Sequence, residues 1–349
     1  MKLFSLDGHI GINDLKCIFR DLGHTLDVWS ISGHSHLLGW EKKHPKFINA
    51  LTWRSLDENL AFSFAKQYAH HLAKYDAFVC FYPASFSMIY DFFDKPIIVL
   101  SPIRSDVPFA SNPEKSSKFY SFMETRINNG KIIPVANNKV DQEYNSILTN
   151  TRWDLIPSLC DYTNANYIGT KNDFIYPYQN RFTIPKISRL KNTSGFSGMS
   201  WDEIYSFKGI VHMPYHNTIM SCFEQYSAGV PLFFPDQDFL SNLRKSNPNK
   251  ILNEMSWQQI ESHKPIQRKQ FTDKGLLDLA NWTHKGCLDY WIPKCDWYDQ
   301  EWFPDINLFS SFRHLEEMIN KNKFTIQTGL SERKNRIMNL WHQKLKKIS

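Results

Sequence analysis

Residues 209–235 read GIVHMPYHNTIMSCFEQYSAGVPLFFP, and this stretch decides the fold. Its first apolar segment is typical of a buried strand that ends near Tyr215, a helical segment runs from about Asn217, and Gly229 ends that helix. The segment VPLFFP follows at once and is again typical of a buried strand. A strand, a helix and a second strand in this order predict neighbouring parallel strands covered by the helix.

The residues before this stretch show the same alternation. Strand-like apolar segments alternate with segments whose apolar residues recur at helical spacing, such as DLKCIFRDLG. We therefore predict an α/β fold with two Rossmann-like domains that face each other across a cleft. The predicted strands of the first domain are MKLFSL, LDVWSI, DAFVCFYP, KPIIVLSP, KIIPVAN and WDLIPSL.

The alternation weakens over residues 164–180, which are rich in Asn, Tyr, Gly and Pro. We place the domain boundary there, with the first domain over residues 1–170 and the second over residues 171–325. In the second domain, TIPKIS is predicted as a strand, and a loop rich in Asn, Ser and Gly separates it from a helix at WDEIYSF.

The chain after Pro235 contains helical stretches at WQQIES and LLDLANWTHKG, and it ends in a long basic segment. Residues 326–349 are predicted to form a helix that packs back on the first domain, because Ile337, Leu340 and Trp341 favour a packed face. A solvated terminal helix is the alternative.

The length and composition limit the class of protein to which the chain can belong. The 349 residues have a hydrophobic content of 42%, which suits two folded domains of ordinary size. No apolar run is long enough to cross a bilayer, and Asp7 and Gly8 come too early for a signal-peptide core, so we expect a cytoplasmic protein. Six scattered cysteines without a C-x-x-C pair favour buried thiols over a zinc site.

The net charge of +6 indicates which partners to expect. A modest basic excess fits anionic ligands such as nucleotide diphosphates, and it is compatible with peripheral association with an acidic membrane surface. No nucleic-acid-binding motif accompanies the charge, so we expect no nucleic-acid partner. The sequence leaves the oligomeric state open.

In an open parallel sheet, ligands bind at the carboxyl ends of the strands, so the loops there are candidate sites. The first is DGHIGIND, in which Gly8 and Gly11 let the backbone pass close to a ligand. His9 and Asp14 stand beside a predicted helix N-terminus, where either could take a proton from an acceptor hydroxyl. A structural turn in which Asp14 caps the helix is the alternative.

Two further loops follow predicted strands. In SPIRSDVP, Arg104 could neutralise an anionic ligand or an acceptor group, and a surface ion pair with Asp106 is the alternative. In IPSLCDYT, Ser158 and Tyr162 offer hydroxyl groups that would face the cleft between the domains. A plain interdomain turn is the alternative for that loop.

The fourth candidate lies within residues 209–235. Asn217 or Thr218 can cap the predicted helix and leave backbone N–H groups for a phosphate. Glu224 is a carboxylate in an otherwise apolar helix, and a carboxylate that faces a cleft can accept both hydroxyl groups of a ribose. A carboxylate on the exposed helix surface is the alternative.

The segment EQYSAGVPLFF resembles the E-A-x-A-x-G-x-P-V segment of GT-B glycosyltransferases, through Glu224, Ala228, Gly229 and Pro231. The resemblance implies that Glu224 binds the ribose of a nucleotide-sugar donor and that the start of the helix faces the diphosphate. The donor-binding residues that we infer on this basis are His212, Tyr215, Asn217, Thr218, Ser221 and Glu224.

Other segments agree with this family in their order. DGHIGINDLKCIFRDLGH resembles the first glycine-containing loop and helix of these enzymes, and WDLIPSLCDYT resembles the last strand of their N-terminal domain. ISRLKN resembles the segment whose arginine and lysine hold the donor diphosphate, which implies that role for Arg189 and Lys191. The pieces also resemble exostosin-like and virus- or microbe-encoded transferases.

One position departs from the family pattern. Retaining members carry E-x7-E, and His216 stands where the first glutamate would be, which leaves inversion or retention open. An inverting enzyme would need a base, for which His9 and Asp14 are the candidates. GT-B enzymes usually need no metal, so we expect no cofactor and interpret the DQD of residues 236–238 as a polar loop.

The resemblance implies a glycosyltransferase that moves a sugar from a nucleotide-diphosphate sugar to a glycan, a glycoconjugate or another hydroxyl acceptor. A sugar-nucleotide epimerase of the same architecture is one alternative, and it would need no acceptor. A degenerate, non-catalytic GT-B binding module is the other. Trp291, Trp297 and Trp302 could serve an interface or a glycan, with core packing as the alternative.

Overall fold

The computed structural model describes residues 1–109, 112–177, 182–193, 195–196, 198–253 and 285–348. These residues form two compact units. The first unit contains residues 1–157 and 336–348, and the second contains the described residues from 158 to 335. The predicted domain limits near residues 170 and 325 lie close to these divisions and stay predictions.

A six-stranded parallel sheet forms the centre of the first unit, in the order β2-β1-β3-β4-β5-β6. Every residue of β3 and β4 is buried, as expected where helices cover both faces of a sheet. The strands are β1 (Lys2–Asp7), β2 (Thr25–Ser30), β3 (Ala77–Cys80), β4 (Ile97–Ser101), β5 (Ile132–Ala136) and β6 (Asp154–Leu155).

A five-stranded parallel sheet forms the centre of the second unit, in the order β11-β10-β9-β7-β8. The strands are β7 (Phe174–Pro177), β8 (Leu190–Thr193), β9 (Ile210–Val211), β10 (Leu232–Pro235) and β11 (Asn307–Phe309). In both sheets the first strand lies between the second and the third, so the strand order reverses at one point. This is the doubly wound arrangement of Rossmann-like domains, and it confirms the predicted α/β class with two Rossmann-like domains.

Helices connect the parallel strands, as such sheets require. The described helices of the first unit are α1 (Ile12–Asp21), α2 (Glu58–Gln67), α3 (Ala69–Leu72), α4 (Ser87–Tyr90), α5 (Pro113–Asn128) and α6 (Lys139–Thr149). The second unit contains α7 (Trp201–Tyr205), α8 (Met220–Ser227), α9 (Gln237–Ser246), α10 (Lys285–Trp291) and α11 (Phe312–Asn320). The last helix is α12 (Leu330–Lys346). None of the described helices is long and apolar enough to span a membrane.

The last helix packs on the first unit, as predicted. Trp341 is 1% exposed, and its ring lies edge-on to Phe19 of α1 with centroids 5.4 Å apart. Lys344 pairs with Asp154 of β6. The alternative of a solvated terminal helix is therefore wrong.

Three local predictions differ from the structure. TIPKIS is not a strand, because the first two strands of the second unit lie on either side of it, at FIYP and LKNT. The DQD of residues 236–238 is not a loop, because the Asp236 side chain accepts a hydrogen bond from the Phe239 N–H at 2.8 Å and caps α9. WQQIES and most of LLDLANWTHKG lie outside the described residues.

The tryptophans near the end of the chain belong to the core. Trp291 and Trp297 are fully buried and Trp302 is 4% exposed. The Trp297 ring stacks on Phe234 of β10 with centroids 4.7 Å apart. Core packing, the alternative considered for these residues, is what the structure shows.

Candidate functional site

The strand order of the second sheet singles out one loop. The order reverses between β7 and β9, and open parallel sheets bind ligands at the carboxyl edge beside such a reversal. The loop that leaves β9 there covers residues 212–219 and leads into α8. Unusually for a loop, it buries most of its polar side chains.

His212 is the first residue of this loop and anchors it to α8. The His212 Nε2 donates to the Gln225 Oε1 at 2.7 Å, and the imidazole stacks on Phe234 with centroids 4.9 Å apart. Burial lowers the pKa of His212 to about 4, since a buried imidazolium lacks hydration. The residue is therefore neutral at neutral pH, and it positions the loop against the helix.

His216 lies farther along the loop, where its Nδ1 accepts a hydrogen bond from the Thr218 N–H at 3.3 Å. Burial also lowers the pKa of His216 to about 4, and that hydrogen bond opposes the shift. His216 is thus a neutral ring that shapes the loop. The Asn217 carbonyl accepts a hydrogen bond from the Asp296 N–H at 3.3 Å, which ties the loop to a distant segment.

Two hydroxyl groups at the start of α8 are left without a hydrogen-bond partner among the described residues. They are the Thr218 Oγ1 and the Ser221 Oγ. Thr218 is only 7% exposed, and a buried hydroxyl without a partner costs about 1–3 kcal/mol. A bound oxyanion would satisfy both groups, so the start of α8 is suited to a phosphate.

The N-terminus of α8 strengthens this conclusion. The helix begins at Met220, and its N-cap is Ile219, whose apolar side chain makes no capping hydrogen bond. The prediction that Asn217 or Thr218 caps the helix is therefore wrong, because the helix begins two residues later than Thr218. The positive end of the helix dipole at this point favours an anion.

The far end of α8 follows the prediction. Gly229 has φ +81°, and its N–H donates to the Tyr226 carbonyl while the Val230 N–H donates to the Gln225 carbonyl. This is the hydrogen-bond pattern of a Schellman motif, which glycine enters without strain. The short helix is thus fixed at its C-terminal end.

Glu224 is half-buried on the middle of α8. Its Oε1 accepts a hydrogen bond from the Tyr162 hydroxyl at 2.5 Å. Two residues predicted from separate loops, Tyr162 and Glu224, therefore meet in the second unit. Tyr215 is half-buried beside His216, and Ser158 is buried with its carbonyl bound to Arg333 at 2.7 Å.

Arg189 and Lys191 do not join this group. Arg189 directly precedes β8, so it lies at the amino edge of the sheet, whereas α8 starts at the carboxyl edge. Its guanidinium donates to the carbonyl groups of Asn172 and Ile319, both at 2.9 Å. Lys191 is 61% exposed and lies 3.7 Å from Asp173. The structure thus places both cations away from the start of α8.

The corresponding reversal in the first sheet lies between β1 and β3, where the loop after β1 faces the residues after β3. Asp7 is fully buried and accepts hydrogen bonds from the Tyr82 N–H at 2.9 Å and the His9 N–H at 2.7 Å. Burial raises the pKa of Asp7 well above its usual value, and both hydrogen bonds oppose that shift. Gly8 and Gly11 allow the close approach, because a Cβ on Gly11 would lie 2.6 Å from the Phe81 ring.

His9 has a defined role in this loop. Its Nδ1 accepts a hydrogen bond from the Gly11 N–H at 3.0 Å, so its proton resides on Nε2. Burial, with a smaller effect from His34, lowers the pKa of His9 to about 4. His9 can therefore donate a hydrogen bond to a ligand as it stands, and it must give up the Gly11 bond to act as a base.

The remaining candidates of the first unit are buried. Asp14 is 1% exposed in the first turn of α1, and the N-cap of that helix is Gly11. Arg104 is 5% exposed and forms a two-pronged ion pair with Asp106, which is fully buried. The ion pair that was the alternative reading of Arg104 is thus present, although it lies in the interior and not at the surface.

Three functional candidates were missed by the sequence interpretation. Asp7 and Gln225 are fully buried polar side chains, and Tyr205 lies near Glu224. Asp7 carried a signal, because an acidic residue that ends an apolar strand just before Gly8 is well placed for a site. Gln225 and Tyr205 carried none, since their neighbours come from other elements.

Comparisons with solved structures find weak structural likeness at very low identity. The calicheamicin glycosyltransferase CalG4 aligns with a TM-score of 0.40 and 9% identity, over 97% of this chain and 93% of its own. The glycosyltransferase SnogD from Streptomyces nogalater aligns with a TM-score of 0.38 and 12% identity, over 80% of this chain and 99% of its own. No protein-family model and no curated protein sequence matches the chain.

Proposed function

We propose that the chain is a glycosyltransferase that moves a sugar from a nucleotide-diphosphate sugar to a hydroxyl group of a glycan or glycoconjugate, without a metal ion. One observation carries the proposal. The N-terminus of α8, at the strand-order reversal of the second sheet, lies beside the buried hydroxyl of Thr218, which has no partner among the described residues. Together these groups are suited to the oxygens of a diphosphate.

Glu224 is the residue that would bind the ribose of a nucleotide at this phosphate site. It lies one turn along α8 from the start of the helix, so a ligand that places a diphosphate at the start brings its ribose towards the carboxylate. In the transfer step, the helix N-terminus and the hydroxyl groups of Thr218 and Ser221 would stabilise the leaving diphosphate. For an inverting reaction we propose His9, in the loop of residues 7–14, as the base that activates the acceptor, because the other candidate, Asp14, is 1% exposed.

Calorimetry and thermal shift against UDP, GDP, CDP, ADP and dTDP test the donor site. We expect one diphosphate to bind to the wild type, and Glu224→Ala to weaken that binding about tenfold or more, as the loss of a charged hydrogen bond does. Glu203→Ala removes an exposed carboxylate from the same unit and should leave binding unchanged. Absence of nucleotide binding, or equal effects of the two variants, contradicts the proposal.

Thr218→Val tests the phosphate end of the site. Valine has the shape of threonine without the hydroxyl, so the variant should be at least as stable as the wild type while it binds the diphosphate several-fold more weakly. Thr149→Val is the matched control, because the Thr149 hydroxyl is buried and donates to the Asn145 carbonyl at 2.7 Å. That variant should lose stability and keep binding. The opposite pattern would assign Thr218 to structure alone.

Product analysis separates this function from the two alternatives. A transferase requires an acceptor, and an epimerase converts the nucleotide sugar without one. A binding module does not convert the nucleotide sugar, whether or not an acceptor is present. Conversion of the donor to an isomeric nucleotide sugar in the absence of acceptor would therefore replace the proposed function with epimerisation.

A further inference from the structure

A hydrogen bond between Tyr162 and Glu224 links the segment that follows β6 to helix α8. The Tyr162 hydroxyl donates to the Glu224 Oε1 at 2.5 Å, a distance typical of a strong, charge-assisted hydrogen bond. Both side chains are half-buried, so each is partly accessible to a ligand. A bond of this kind restricts the carboxylate to one orientation.

The segment that carries Tyr162 is itself fixed. The Ser227 hydroxyl, one turn beyond Glu224 on α8, donates to the Leu159 carbonyl. Arg333 donates to the Ser158 carbonyl at 2.7 Å from another helix. Because hydrogen bonds hold this segment at Ser158 and Leu159, the backbone that carries Tyr162 is fixed where its side chain contacts Glu224.

A second tyrosine lies near the same carboxylate. Tyr205 of α7 is fully buried, and burial raises its pKa, with a smaller contribution from the charge of Glu224. The phenol groups of Tyr162 and Tyr205, which come from different parts of the chain, therefore both lie near the Glu224 carboxylate. A free glutamate loses considerable side-chain entropy when it binds a ligand, and a fixed one loses less.

We propose that Tyr162 is a positioning residue, which holds the Glu224 carboxylate in the orientation that accepts the vicinal hydroxyl groups of a ribose. The site then selects ribonucleotides over deoxyribonucleotides. This inference rests on the proposed function of the α8 site, and it adds the class of nucleotide that the donor carries. Tyr162 itself acts through Glu224 and not through direct chemistry on the sugar.

The test compares Tyr162→Phe with the wild type by calorimetry, using UDP, GDP, CDP and ADP alongside their 2′-deoxy counterparts. The wild type should prefer the ribonucleotide by about tenfold, the size of one good hydrogen bond to a charged group. Tyr162→Phe should weaken ribonucleotide binding about tenfold and deoxyribonucleotide binding less, because the deoxy sugar keeps only one of the two hydroxyl groups, so the preference shrinks. In the Glu224→Ala background, the same substitution should have no further effect.

Tyr167→Phe is the matched control. The Tyr167 hydroxyl donates to the Lys208 carbonyl at 3.1 Å in the same unit, and its loss should leave the preference for ribose intact. The readout is a ratio of affinities within one variant, so a smaller folded fraction does not alter it.

The outcomes distinguish this inference from the function on which it rests. If ribonucleotides bind and Glu224→Ala weakens them while Tyr162→Phe keeps the ribose preference, the positioning role is overturned and the donor site stands. Equal loss for both sugar types, or a wild type without ribose preference, also overturns it. If no nucleotide binds to the wild type, the donor site itself fails.

Discussion

At the scale of single residues, burial separates ligand-binding groups from structural ones. Arg104 looks like an anion-binding residue in the sequence, yet its guanidinium forms a two-pronged pair with the fully buried Asp106 and lies 5.4 Å from the Tyr144 ring centroid. The Ser116 hydroxyl adds a third contact to Asp106 at 2.9 Å. The charge of the Arg104 guanidinium is therefore compensated inside the first unit.

This arrangement predicts that Arg104→Met destabilises the fold. Removal of one partner from a buried ion pair leaves an uncompensated charge, so we expect the free energy of unfolding to fall by about 3–5 kcal/mol. Urea denaturation measures the loss. The double variant Arg104→Met, Asp106→Leu should recover much of it, since no lone charge remains.

Arg313→Met provides the comparison at the surface. Arg313 is 89% exposed and lies 3.5 Å from Glu317, so its loss should cost less than about 1 kcal/mol. If Arg104→Met kept wild-type stability but lost transfer activity, the role of Arg104 would be ligand binding after all.

At the scale of elements, the residues after β10 show how a short motif depends on its context. The DQD of residues 236–238 resembles a metal-binding motif, but Asp236 has extended backbone angles and its carboxylate caps α9 through the Phe239 N–H. The acidic Asp238 follows in the first turn, where the helix dipole favours a negative charge. Both acidic residues have a structural reason to be there.

Asp236→Ala should therefore lower the free energy of unfolding by about 1 kcal/mol, the usual cost of a lost N-cap. Asp236→Asn keeps a cap-forming oxygen and should stay within a few tenths of the wild type. Chemical denaturation of the three proteins, with and without Mg²⁺, measures the effect. A requirement for the aspartate charge together with stabilisation by Mg²⁺ would instead assign these residues to a metal.

The fold was predictable from the sequence wherever strands are buried on both faces. Such strands appear as continuous apolar runs, as AFVC of β3 and IIVLS of β4 do. The exceptions are in the second sheet: β7, FIYP, is buried but lies where the alternation weakens, and the short β11, NLF, was not predicted either. The third exception, β8, LKNT, lies at the edge of the sheet and has two exposed residues. An edge strand needs no apolar run, so its sequence resembles a loop and the strand was placed at TIPKIS instead.

The site was predictable only in part, for a different reason. Glu224, Thr218 and Ser221 share one segment, and the local spacing was enough to group them. Tyr162 comes from a segment distant in sequence, and Asp7 is bound by the Tyr82 N–H, which is also far along the chain. Contacts between distant elements are fixed by tertiary packing, which no local pattern specifies.

At the scale of the whole molecule, buried histidines link the fold to pH. His9, His212 and His216 each have a pKa lowered to about 4 by burial, against 6.5 in the unfolded chain. Between these values the unfolded chain binds protons that the folded chain does not, so stability is full above pH 6.5 and falls as the pH drops towards 4. Asp7 acts in the opposite direction, because its raised pKa favours the protonated carboxyl that forms as the pH falls.

A single variant isolates one of these contributions. Between pH 7 and pH 5, His212 alone should reduce the free energy of unfolding by roughly 2 kcal/mol, because one pKa unit corresponds to about 1.36 kcal/mol. His212→Gln cannot titrate, so the variant should lose about 2 kcal/mol less than the wild type over this range, whatever its stability at pH 7. Urea denaturation at both pH values gives the difference, and His70→Gln, at an exposed position on α3, should match the wild type. If His212→Gln showed the same loss as the wild type, His212 would be able to take up its proton within the fold, and the neutral imidazole that holds α8 through Gln225 would be refuted.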